Sequence, residues 1–99
     1  MEPEKFGLLT NLTSLNLWYN KLKTLPNSFE NLINLTELNL GCNLVSNLPE
    51  NIGNLTKLVT LNLYNNKLIN LPQSIKYIKN VNINTSSYEN LNNLSLSPT

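Results

Sequence analysis

The chain has 99 residues, with 22 Leu and 21 Asn and no Ala, Arg, Asp or His. Asn competes with helical backbone for hydrogen bonds, so this composition argues against long helices. Seven Lys against six Glu leave a net charge of +1, which argues against the concentrated basic face that nucleic-acid binding requires.

In chain order, the opening "MEPEKFG" lacks the apolar core of a signal peptide, and no apolar run is long enough to span a membrane. The expectation is a soluble, cytoplasmic protein. Residues 1–11 read as the second half of a repeated unit: Pro3, Phe6, Leu9 and Leu12 recur as Pro26, Phe29, Leu32 and Leu35. Three units of the same length then follow at 12–34, 35–57 and 58–80. They read "LTSLNLWYNKLKTLPNSFENLIN", "LTELNLGCNLVSNLPENIGNLTK" and "LVTLNLYNNKLINLPQSIKYIKN". A repeat of this period is the mark of a solenoid, in which each unit buries its apolar side only by stacking on its neighbours.

Within each unit the L-x-L alternation has a period of 2, which predicts a short strand. Leu15 and Leu17 then face inward, while Asn16 and Trp18 face outward. Leu38–Leu40 and Leu61–Leu63 are the equivalent strands. Pro26, Pro49 and Pro72 end each segment, since proline cannot donate to a continuing ladder. Phe29, Ile52 and Ile75 are predicted to plug the turn that follows. Asn20, Asn43 and Asn66 fall at one corner, where a buried amide can satisfy backbone groups that lack ladder partners.

The last segment, 81–99, is a degenerate unit. Keeping the period would put Asn84 and Ser86 in leucine slots. Shortening the convex side by three residues seats Ile75, Ile78, Val81 and Ile83 inward instead. Ser86 then falls at the asparagine corner, and Tyr88 and Leu91 continue the unit. That is the register expected here. The whole chain, 1–99, reads as a single domain.

These units resemble leucine-rich repeats of the short intracellular type, similar to those of Ras-pathway scaffolds and of protozoan and bacterial leucine-rich-repeat proteins. The shared pattern is LxxLxLxxNx(L/V)xxLPxx(F/I)xx(L/I)xx. The resemblance implies an α/β leucine-rich-repeat solenoid. A short curved parallel β-sheet would line its concave face, with 3₁₀ or short helical turns on the convex face. It also implies a protein-binding role, with small GTPases or their regulators as one partner class that nothing in the variable positions singles out.

Two neighbouring positions vary freely while the framework repeats: Trp18-Tyr19, Gly41-Cys42 and Tyr64-Asn65. They face outward and take no part in stacking, so function is what can use them. Strands lie about 4.8 Å apart, which sets Trp18 and Tyr64 about 10 Å apart across Gly41, as the walls of a slot floored by backbone. Lys21 and Lys67 fall at one rim, and Glu37 is the acid on this face. The expected partner-binding set is therefore Trp18, Tyr19, Lys21, Glu37, Gly41, Tyr64 and Lys67. Aromatic residues carry much of the energy at interfaces. The expected partner is another protein or peptide, not nucleic acid or membrane.

Asn16, Asn39 and Asn62 form a second ladder on the same face, expected to bond among themselves and to water. Cys42 has no second Cys or any His to work with, and reads as a small, tolerated side chain. Five N-x-S/T triplets, at Asn11, Asn34, Asn54, Asn84 and Asn93, could be glycosylated in a protein secreted by a eukaryote. Three of the five arise from the repeat's own Asn-Leu-Thr joint in an Asn-rich chain, so their abundance is not evidence of secretion. No motif supports catalysis, a metal or a cofactor. The alternative to a recognition module is a structural role: a segment of a longer solenoid, or a homodimer formed through exposed edge strands.

Overall fold

The computed structural model describes residues 9–85 and 95–96. The L-x-L segments form strands β1 (Ser14–Asn16), β2 (Glu37–Asn39) and β3 (Thr60–Asn62). They are followed by β4 (Asn70–Leu71), β5 (Asn82–Asn84) and β6 (Ser95–Leu96). β1, β2, β3 and β5 make one parallel sheet in that order, and β4 pairs with β6 in a second. Parallel neighbours need a crossover. Here each crossover is one complete coil of the solenoid.

The register places Leu15, Leu38, Leu61 and Ile83 side by side, and likewise Asn16, Asn39, Asn62 and Asn84. Leu38, Leu40, Leu61 and Leu63 are buried, while Leu15 and Ile83, on the outer strands, are half-buried. Each inner strand pairs with one on either side. Among the described residues, the outer ones pair on one side.

The convex side is built of 3₁₀ turns: η1 (Asn27–Asn31), η2 (Ile52–Asn54) and η3 (Gln73–Tyr77). The same bond opens all three, from the amides of Phe29, Ile52 and Ile75 to the carbonyls of Pro26, Pro49 and Pro72 at 3.0 Å. Pro26 and Pro72 flank their turns at φ −68° and −65°, close to the angle that the ring imposes. Phe29, Ile52 and Ile75 are buried at the centre of the coil, as their spacing predicts. Leu12 donates to the Leu9 carbonyl just as Leu35 donates to Leu32 and Leu58 to Leu55. The described part of residues 1–11 thus enters in the repeat's own geometry. Pro3 and Phe6 lie outside the described residues.

The last unit differs from the expected register. Leu61 pairs with Ile83, not with Val81, so the spacing there is shortened by one residue instead of three. The convex turn keeps its full length, because Ile75 and Ile78 repeat the bonds made by Phe29 and Leu32. The missing residue comes from the short return between Ile78 and Ile83. Val81 packs at the edge of the core and Ile83 takes the first leucine slot of the strand. Thr85, not Ile83, therefore follows Leu63 in register. Further on, β6 aligns Leu96 with Leu71, so Leu96 and not Leu91 occupies that backbone position. Ser86, Tyr88 and Leu91 themselves lie outside the described residues. Among the described residues, no helix is long and apolar enough to cross a membrane.

Candidate functional site

Each strand must stop after a few residues for the chain to turn, and two rows of asparagine make that possible. Asn43 is buried, and its Nδ2 donates to the carbonyls of Leu17 and Leu40 at 2.9 Å and of Gly41 at 3.2 Å. Its Oδ1 accepts from the amides of Asn20 and Leu22, both at 2.9 Å. Asn66 repeats the scheme with the carbonyls of Leu40, Leu63 and Tyr64 and the amide of Val45. Asn20 donates to the carbonyls of Leu17 and Trp18. This corner row is structural, as its spacing implied.

The second row differs from expectation. Asn16, Asn39 and Asn62 do not bond to one another. Each Oδ1 accepts the amide two residues further on, from Trp18, Gly41 and Tyr64 respectively, at 2.9 Å in all three. This is the local turn that asparagine favours. It occupies the acceptor of each side chain and fixes the plane of its amide.

Together with Ser14, Glu37 and Thr60, this row lines a shallow groove of about 420 Å³ on the concave face. Glu37 accepts a hydrogen bond from the Ser14 hydroxyl through Oε1 at 3.2 Å. Of the expected binding set, Glu37 is the member that lines this groove.

Trp18, Gly41 and Tyr64 follow at the C-terminal end of the strands. The open slot expected between the two aromatics is not formed. A Cβ built on Gly41 would lie 2.7 Å from Cε3 and Cζ3 of Trp18, so the indole rests directly on the glycine and fills the space from its own side. The cause is physical: a large apolar ring gains by covering a bare backbone next door. Trp18 nonetheless keeps 44% of its surface exposed and Tyr64 keeps 36%.

Tyr19, Lys21 and Lys67 line a second depression of about 240 Å³. Tyr19, at φ 64°, shares the left-handed backbone of its equivalents Cys42 (57°) and Asn65 (59°). Cys42 and Asn65 also line this depression, and Asn65 Nδ2 lies 3.8 Å from the Cys42 sulfur. These two residues escaped the sequence-derived set. Their shared position with Tyr19, one repeat apart, was the signal that could have found them. Among the described residues no three His, Cys, Asp or Glu side chains gather as a metal ion would require.

The family description Leucine Rich repeats (2 copies) matches residues 10–54, and Leucine Rich Repeat matches residues 57–78. No curated protein matches the chain. Among solved structures it is similar to a leucine-rich-repeat protein of Leptospira interrogans, at 42% identity and a TM-score of 0.76. The match covers 81% of this chain and 20% of that one, so the chain spans about a fifth of the length of that relative. With the repeated framework, the parallel sheet and these matches in agreement, the chain belongs to the leucine-rich-repeat proteins.

Proposed function

We propose that the chain is a protein-recognition module that holds a partner protein or peptide on its concave side. The contacts come from Trp18, Tyr19 and Tyr64, with Lys21, Lys67 and Glu37 around them, and buried Gly41 serves as the seat of the indole. One observation carries this reading. Trp18, Tyr19 and Tyr64 stand 44%, 69% and 36% exposed past the ends of β1 and β3, on either side of β2, where the solenoid has no need of aromatic rings. Large aromatics in water mark interaction sites. In this reading the chain works as a cytoplasmic scaffold element and not as an enzyme.

The test compares capture from a cell extract by the wild-type chain and by a Trp18→Ala, Tyr19→Ala, Tyr64→Ala variant matched in size and folding. A partner held by the first and lost by the second is the expected result. A partner held equally by both would move the site elsewhere.

A second reading is a structural one, in which the chain is a segment of a longer solenoid or pairs with a second copy. The sheet order supports it: β1 and β5 are the outer strands, each pairing on one side within the described residues. Such edges template further strands. Fusion of a polar capping repeat would abolish that association and spare concave-face binding.

A further inference from the structure

The concave face is sorted by hydrogen-bonding type, and this points to the chemistry of what it holds. An asparagine amide has one acceptor oxygen and an NH₂ donor. In Asn16, Asn39 and Asn62 the oxygen meets a backbone N–H at 2.9 Å. That partner settles the orientation, because the opposite flip would set donor against donor. The NH₂ groups remain as the part of each side chain that the turn does not engage. The register puts them in a row across β1, β2 and β3, about 4.8 Å apart.

Charge is sorted too. Glu37 lies at the start of β2, already bonded to Ser14. Lys21 and Lys67 lie beyond the strand ends, in the second depression. They occupy the same position two coils apart, with Leu44 between them. An acceptor-rich segment placed over the asparagine row would thus have the cations on one flank and Glu37, the one carboxylate among the described groove residues, on the other.

We infer that the partner of this face is an acidic, extended peptide segment that crosses the strands, its carboxylates received by the asparagine NH₂ row and by Lys21 and Lys67. This rests on the concave-face reading above and adds the chemistry of the ligand. Hydrogen bonds to an ionised carboxylate are about twice as strong as neutral ones, which favours acids over amides as the acceptors. A polyproline-II segment advances about 3.1 Å per residue with about three residues per turn, so side chains three apart share one face and span about two strand spacings of about 4.8 Å. Acidic residues three apart would meet every second strand, which is also the spacing of Lys21 and Lys67.

The experiment titrates the folded chain with a synthetic peptide carrying glutamate at every third position, against the same peptide with glutamine. Side-chain amide resonances of Asn16, Asn39 and Asn62 are followed by NMR. The decisive variant is Asn39→Asp, Asn62→Asp. Aspartate keeps the oxygen that accepts the Gly41 and Tyr64 amides, so the turns survive, while the donors become carboxylate. The glutamate peptide is expected to move the asparagine NH₂ signals and to bind about tenfold more tightly than the glutamine peptide. The aspartate variant should bind it at least about tenfold more weakly at unchanged melting temperature. Lys21→Gln, Lys67→Gln should weaken binding and flatten its salt dependence.

Equal binding of the two peptides, or equal binding by the aspartate variant, overturns the inference. The extract capture separates the two readings. A natural partner lost with the aromatic variant but kept by the aspartate variant leaves the concave-face reading standing and removes the acidic ligand. A partner kept by both variants removes both.

Discussion

Asn43 shows how much of this fold hangs on single amides. One buried side chain serves three carbonyls and two amides. The carbonyls of Leu17, Leu40 and Gly41 have second donors in Asn20, Asn66 and the Tyr19 amide, whereas the amides of Asn20 and Leu22 rest on Asn43. Leaving buried backbone groups unpaired costs about 1–3 kcal/mol each. Asn43→Ala should therefore lose about 2–3 kcal/mol in urea denaturation, because two amides lose their partner while the three carbonyls keep one. The order of cost should be Asn43, then the half-buried Asn66, then the exposed Asn20. An equal cost at all three would show that burial does not govern the row.

Backbone strain gives a second test at this scale. Cys42 holds φ 57°, a region that costs most non-glycine residues about 1–2 kcal/mol and that asparagine tolerates better. Asn65 already occupies the equivalent place at 59°. Cys42→Asn should stabilise the chain by about 0.5 kcal/mol, read as a rise in the urea midpoint with unchanged slope.

At the scale of elements, the joint between η2 and η3 is the tightest on the convex side. The Ser74 hydroxyl donates to the Glu50 carbonyl at 2.6 Å and accepts from the Gly53 amide at 2.9 Å. Gly53 is buried, and a Cβ there would overlap the Ser74 carbonyl oxygen. Because the obstacle is backbone, the turns must part to make room. Gly53→Ala should cost about 2–3 kcal/mol, as overpacking does.

Ser28 holds the same place in η1, yet its hydroxyl oxygen is buried without a hydrogen-bond partner. Ser74→Ala should cost about 1–2 kcal/mol, whereas Ser28→Ala should be neutral or slightly stabilising. A matched pair of thermal melts checks the contrast. A large loss at Ser28 would mean that its hydroxyl is bonded in solution.

At the scale of the whole molecule, the coils form a one-dimensional stack, so stability depends on having neighbours on both sides. Leu38 and Leu61 are 1% and 0% exposed, while Leu15 and Ile83 are only partly covered. Leu38→Ala and Leu61→Ala should cost about 3–5 kcal/mol and Leu15→Ala clearly less. Hydrogen exchange should be slowest in β2 and β3.

This periodic plan was legible before any coordinates, because leucine, asparagine and proline recur at positions where only their chemistry serves. The departures were not. Val81 and Ile83 are both apolar and two apart, so they satisfy the strand slots in either register. Only the pairing of Ile83 with Leu61 decides between them. The left-handed turn was hidden because Tyr19 and Cys42 carry none of the usual signals for it. The groove's asparagines were legible as a row, but the direction of each amide depends on a backbone N–H that the letters do not place. The indole's tilt onto Gly41 is a choice among rotamers, which no spacing encodes.

That tilt has a practical consequence. Trp18 is the one tryptophan in the chain, so the protein's intrinsic ultraviolet emission under selective excitation comes from a single, half-wet ring beside the groove. Anything that settles there will strip water from the indole and shift its emission to the blue. Acrylamide will quench it less. The chain thus carries its own optical gauge of occupancy, readable without a label.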